Sequence, residues 1–209
     1  MENIDYVIYI NLNKRTDRKV EIESELKRLN IDKNKIIRLE AIEHSYPNTG
    51  CNLSHSMALK MAFEKKMKNV LILEDDFNFI DDVNKVHSSI SQMFLTLNNN
   101  WDVIQLTHQT NKAEPYNNLL NITLDSSNAA GYLVNSHMFE PLSRIFFYSA
   151  QSLSLTKAHW IFQNDRQWVL FMFTKRWFHF IEPLGYQRDS FSDLSQGYFT
   201  SNKTIEIES

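Results

Sequence analysis

Glycine is scarce in this chain: four among 209 residues, at positions 50, 131, 185 and 197, where about 7% is usual. A dinucleotide fingerprint needs three glycines within six residues, and a P-loop needs a glycine-rich turn ending in Lys-Ser/Thr. The spacing fits neither, so any bound phosphate must be held by cations, a metal or a helix end. Cysteine is scarcer still. Cys51 stands alone, which excludes an intramolecular disulfide and fits a reducing compartment. No second cysteine or close histidine gives a zinc spacing, and no Gly-x-Ser-x-Gly hydrolase signature occurs. No run of 18 or more apolar residues exists, which excludes a transmembrane helix on length. Met1-Glu2-Asn3-Ile4-Asp5 has neither the basic nor the apolar region of a secretory signal, so the expected location is cytoplasmic. An excess of one charge is also missing: 22 Lys plus Arg against 25 Asp plus Glu leaves 22 − 25 = −3. Without a sustained basic stripe, nucleic acid is not the expected partner.

What the chain does have is apolar mass, 43% hydrophobic and 12% aromatic, enough for a sizeable core. Tyr6–Ile10 reads as a buried strand, Thr16 as a helix start, and Ile36–Ile42 as a second strand. A helix is expected from Asn52 to Lys68. Val70-Leu71-Ile72-Leu73 is the most hydrophobic strand and ends abruptly in Glu74-Asp75-Asp76. A helix over 83–97, a strand over 101–106, a polar loop over 107–118 and a strand over 129–134 follow. After them come a helix through Phe139, Leu142 and Ile145, a helix over 165–173, and a last strand at 178–181. This alternation predicts an α/β protein with a mainly parallel sheet, in one domain. Residues 196–209 would form a tail.

Glu74-Asp75-Asp76 is the strongest chemical signal, because ligands of α/β sheets gather at the carboxyl ends of strands. Three adjacent carboxylates repel one another, and Mn²⁺ or Mg²⁺ would relieve this while bridging to a diphosphate. Strand alternation predicts Glu74 and Asp76 on one side and Asp75 on the other. Asp76 is then the metal ligand, Glu74 lies nearer a nucleoside, and Asp75 is a second ligand or an orienting group. After the first strand, Asn11, Arg15 and Arg18 offer donors suited to phosphate or a base edge beside a helix start. Ser54 and His55 place a polar pair at another helix start, where Cys51 is expected to pack in the core. Asp165 is either a helix N-cap or a general base. Gln187 and Arg188 follow the last strand.

In this order, these stretches resemble glycosyltransferase family 25, which includes lipooligosaccharide and procollagen galactosyltransferases. The resemblance runs through Tyr9-Ile10-Asn11-Leu12 with Arg15 and Arg18, Gly50 to His55, Leu71 to Asp76 and Ala130 to Val134. It closes in Gln187-Arg188-Asp189-Ser190-Phe191-Ser192-Asp193. It implies a GT-A fold in which about 1–100 is the nucleotide-sugar-binding half and about 101–195 the acceptor-side half, a UDP-sugar donor carrying galactose or glucose, inversion at the anomeric carbon, and a glycan or collagen-like acceptor. It also fits a bacterial or large-DNA-virus origin. It also implies that Asp165 lies on the acceptor side, and that a late metal ligand comes from Asp193, Ser190 or His179. A degenerate carbohydrate-binding module and a metal-dependent nucleotidyltransferase remain as alternatives.

Overall fold

The computed structural model describes residues 1–188 and the backbone of Ser190–Ser192 and Gly197–Phe199. In chain order the strands are β1 (Tyr6–Asn11), β2 (Ile36–Glu40), β3 (Asn69–Glu74), β4 (Phe77–Phe79), β5 (Val103–Gln105) and β6 (Gln109–Pro115). They continue as β7 (Leu120–Ser127), β8 (Gly131–Asn135), β9 (Trp177–Phe180), β10 (Gly185–Gln187), β11 (Ser190–Ser192) and β12 (Gly197–Phe199). The helices are α1 (Thr16–Arg28), α2 (Pro47–Glu64), α3 (Val83–Leu97), α4 (Phe139–Thr156), α5 (His159–Phe162), α6 (Asn164–Gln167) and α7 (Val169–Met172).

Eight strands form one sheet in the order β2-β1-β3-β8-β5-β9-β7-β6. Parallel pairing of β1 with β2 and β3, and of β5 with β9, leaves β7 and β8 running against the other six. The period-2 alternation of the strands explains the layers. Val7, Tyr9, Leu71 and Leu73 face one side and pack with Ile22 and Leu26 of α1 and Val86, Ile90 and Met93 of α3. Ile8, Ile10, Val70 and Ile72 face the other and pack with Ala58 and Leu59 of α2 and Leu142 and Phe146 of α4. Both faces are covered, so the central strands are apolar throughout.

Several elements differ from the sequence reading. The expected loop over 107–118 is largely β6, an edge strand paired antiparallel with β7. Its sequence lacks apolar alternation because much of the strand is exposed, and backbone pairing alone defines it. The expected helix over 165–173 is broken into the single turns α6 and α7, with Asn164, Trp168 and Met172 buried four residues apart. Helix α2 begins five residues earlier than expected, with Pro47 in its first turn, where a missing N–H leaves no bond unmade.

The short strand β4 closes the acidic turn against β10, with Gln187 opposite Phe77. Phe77 is fully buried, and its ring fills the space over two glycines. A Cβ on Gly131 would lie 2.4 Å from the ring, and one on Gly185 2.2 Å from it. These glycines admit the Phe77 ring.

Candidate active site

The carboxyl ends of β1, β2 and β3 and the start of α2 enclose a cleft of about 560 Å³. A smaller cavity of about 190 Å³ is lined by Gln109, Asn128, Gln163, Asn164 and Asp165, among others. Glu74 and Gln187 line both. The acidic strand end is therefore the seam between two binding spaces.

Strand alternation stops at Glu74, because residues 75 and 76 form a turn. Glu74 points to α2, whereas Asp75 and Asp76 both meet Arg18 of α1. This corrects the expected pairing of Glu74 with Asp76. Arg18 Nη1 donates to Asp75 Oδ1 at 2.9 Å and to Asp76 Oδ2 at 3.2 Å. Asn11 Nδ2 donates to Asp75 Oδ2 at 2.7 Å, so both Asp75 oxygens accept from protein donors. Asp75 thus has the geometry of an orienting group. Asn11 itself is buried, and its Oδ1 accepts from Arg38.

Asp76 differs. Its Oδ2 also accepts from Gln187 Nε2 at 3.2 Å, while its Oδ1 is buried without a hydrogen-bond partner. Burial, then Glu74 and Asp75, push its pKa up to about 7 against the pull of Arg18. An orphaned carboxylate oxygen among three acids fits a divalent cation with oxygen ligands. Arg188 fastens the turn from the other side. Its backbone N–H donates to the Asp76 carbonyl at 2.8 Å and its Nη2 to the Asp75 carbonyl at 2.9 Å. It also pairs with Glu21.

On the α2 side, His55 is held between Tyr132 Oη at 2.8 Å and Glu74 Oε1 at 3.0 Å. Cys51 Sγ lies 3.9 Å from the same Glu74 oxygen. The cysteine faces the acidic seam instead of packing in the core, a correction to its expected role. Ser54 serves the scaffold: its hydroxyl donates to the Gly50 carbonyl and accepts from the Ile42 N–H. Arg15 pairs with Asp17 and is not among the residues lining either cavity. Lys14, paired at 2.5 Å with Glu43, does line the cleft.

Asp165 lies at the start of α6, where its Oδ2 accepts from the Asn128 N–H at 2.9 Å. Burial pushes its pKa up, which makes it a stronger base. Asn128 holds a positive φ of 77°, a conformation asparagine tolerates better than most residues. Asn52 of α2 anchors this region. It donates to Ser149 Oγ and the Phe162 carbonyl, and it accepts from the Asn164 N–H. Gln109, Asn128, Gln163 and Asn164 were not singled out as ligands from sequence; the Gln163-Asn164 pair directly before Asp165 was the available signal. His179 lies elsewhere, against His108 and Thr123. Asp193 and the Ser190 side chain lie outside the described residues.

The sequence matches the family described as Glycosyltransferase family 25 (LPS biosynthesis protein) over residues 37–158, more than half the chain. The chain belongs to glycosyltransferase family 25. No curated protein matches it. Among solved structures, this family 25 chain is similar to a glycosyltransferase involved in the glycosylation of the major capsid of PBCV-1. That likeness has a TM-score of 0.51 and 13% identity, covering 79% of this chain and 74% of that one. Mannose-1-phosphate geranyltransferase from Thermus thermophilus has a TM-score of 0.48 at 9% identity, covering 84% and 73%. A197 from STIV has a TM-score of 0.46 at 12% identity, covering 99% and 98%. The fold is of the GT-A glycosyltransferase type. Among the described residues, no helix is long and apolar enough to cross a membrane.

Proposed function

We propose that this family 25 chain is an inverting, metal-dependent hexosyltransferase that moves galactose or glucose from a UDP-sugar to a glycan hydroxyl. One observation carries the reading: two cavities meet at Glu74 and Gln187, with the orphaned Asp76 oxygen on the larger side and Asp165 on the smaller. The larger cleft is the donor site, and Asp76 would hold Mn²⁺ or Mg²⁺. When bound, the ion supplies Lewis-acid stabilisation of the departing diphosphate. Arg18 and Asn11 fix Asp75 and keep the acidic turn in place. Lys14 and the N-terminus of α2 add positive potential where the diphosphate leaves.

The smaller cavity is the acceptor site. Its amide side chains and two carboxylates suit the hydroxyls of a sugar, and among the described residues no Lys or Arg lines it. That chemistry favours a glycan over a collagen-like peptide. Asp165, oriented by Asn128, takes the acceptor hydroxyl's proton as its oxygen attacks the anomeric carbon from the side opposite the diphosphate. Its raised pKa suits a general base.

A panel of UDP-sugars, scored for UDP release with Mn²⁺ and with chelator, tests the reading. UDP release from one hexose donor, dependent on metal and on a glycan acceptor, is expected. Nucleotide binding without turnover would favour the carbohydrate-binding module, and pyrophosphate as product would favour the nucleotidyltransferase.

A further inference from the structure

We infer that Cys51, His55 and Glu74 form a second metal site in the donor cleft, one suited to Zn²⁺. The inference does not rest on the transferase reading. Cys51 and His55 stand one turn apart on α2, and Glu74 meets them from the end of β3. One ligand atom from each lies within 4.8 Å of the other two. Tetrahedral zinc places sulfur about 2.3 Å and nitrogen or oxygen about 2.0–2.2 Å from the ion, so ligand atoms stand about 3.4–3.6 Å apart. The Sγ to Oε1 distance is 3.9 Å and the Nε2 to Oε1 distance is 3.0 Å. Each lies within about 0.4 Å of those separations, a change that side-chain rotation supplies.

Three further observations point to a cation. The cluster opens onto the cleft, leaving a fourth position for water or substrate. Tyr132 Oη sits on the other nitrogen of His55 at 2.8 Å, as an outer-shell partner of a metal-bound imidazole does. The partnerless, buried Asp76 Oδ1 belongs to the same cleft, whose described lining sets Glu43, Glu74, Asp75 and Asp76 against Lys14 and Arg18. Donor softness separates the two sites: thiolate and imidazole select zinc, whereas Asp76 offers only hard oxygen. A cysteine and histidine four residues apart carry this pattern in the sequence, but the third ligand arrives only with the fold.

The proton balance is defined. Without metal, the carboxylate of Glu74 can only accept, so Nε2 of His55 carries the proton and Nδ1 accepts from Tyr132, an assignment made from the partners. Zinc binding expels the Sγ proton to solvent. It also moves the imidazole to the Nδ1–H tautomer, which donates to Tyr132 Oη. One proton is released per ion.

Cobalt(II), zinc and manganese, each added alone to the purified full chain, are the probes. One equivalent of Co²⁺ should bind with a sulfur-to-cobalt charge-transfer band, and Zn²⁺ should displace it. Zn²⁺ should protect the chain's single thiol from alkylation, and Mn²⁺ should not. Cys51→Ser should lose the band and at least about tenfold in Zn²⁺ affinity, and Tyr132→Phe should keep the band and lose about 10–100-fold. No band in the wild-type chain, alkylation indifferent to Zn²⁺, or unchanged Zn²⁺ affinity in Cys51→Ser overturns the site. Unchanged Zn²⁺ affinity in His55→Ala likewise overturns the site. None of these readouts uses a nucleotide or turnover, so failure here and failure of the transferase reading are separable.

Discussion

Replacing Asp76 by Asn should make the metal-free protein more stable while removing donor binding. The cause is the buried carboxylate with one partnerless oxygen, whose pKa is raised by burial and Glu74 to about 7. An ordinary aspartate titrates near about 4. Below about pH 4 the side chain is neutral in both the folded and unfolded states. Between about 4 and 7 only the unfolded state ionises it, so folding loses stability as the pH rises through this window and levels off above it. The gap of about three pH units, at about 1.4 kcal/mol each, sets an upper bound of roughly 4 kcal/mol. Asparagine keeps an oxygen for Gln187 and carries no charge, and Arg18 retains Asp75. In chelator at pH 8, Asp76→Asn should therefore be about 2–4 kcal/mol more stable than wild type, at about 2–4 °C of melting temperature per kcal/mol. The two proteins should converge near pH 4. With Mn²⁺ and UDP at about a hundred times Kd, wild type should gain about 2.7 kcal/mol and the variant nothing. Thermal melts from pH 4 to 8 decide the matter. A variant less stable than wild type at pH 8, or a gap independent of pH, refutes the reasoning.

Three further outcomes follow from other parts of the site. Asp165→Asn should leave UDP binding intact and lower turnover by about 10²–10⁴, the usual range for general-base catalysis; steady-state kinetics with an unchanged rate would assign the base elsewhere. Gly131→Ala should cost at least about 1–3 kcal/mol through overlap with the Phe77 ring. Adding Phe77→Leu should recover part of that loss in urea unfolding, and strictly additive effects would show that the ring is not the obstacle. Asn52→Ala removes three hydrogen bonds between α2 and the α4–α6 region and should cost about 2–3 kcal/mol. It should also lower turnover more than it weakens UDP binding, as measured by calorimetry beside kinetics, because it releases the segment that carries Asp165.

The parts of the fold legible in the sequence are those with strong periodicity. Strands β1 and β3 are continuous apolar runs, and α3 carries its buried residues at helical spacing. Strand β6 was illegible because its Thr-Asn-Lys-Ala-Glu segment has no apolar face, and its identity comes from pairing with β7. Within the site, the prominence of Glu74-Asp75-Asp76 was legible, but the distribution of its side chains was not. A two-residue turn redirects Asp76 toward Arg18, and no periodic rule anticipates a turn inside an acidic run. The surroundings of His55 show the same limit. Its partners Tyr132 and Glu74 are 77 and 19 residues away in the chain, so their convergence is a property of sheet order alone.

The ring of Phe77 between Gly131 and Gly185 has a consequence for synthesis. The segment that seats the acidic turn, from Gly185 to Arg188, is translated more than a hundred residues after the turn itself. Until it emerges, Asp76 lacks Gln187, its backbone lacks the Arg188 N–H, and the Phe77 ring lacks one of its two walls. A chain shortened before Gly185 would retain most of the sheet yet leave this turn unfinished. Completion of the acidic turn is thereby coupled to the arrival of Gly185–Arg188, and a partly made molecule would lack one wall of the cleft that this turn borders.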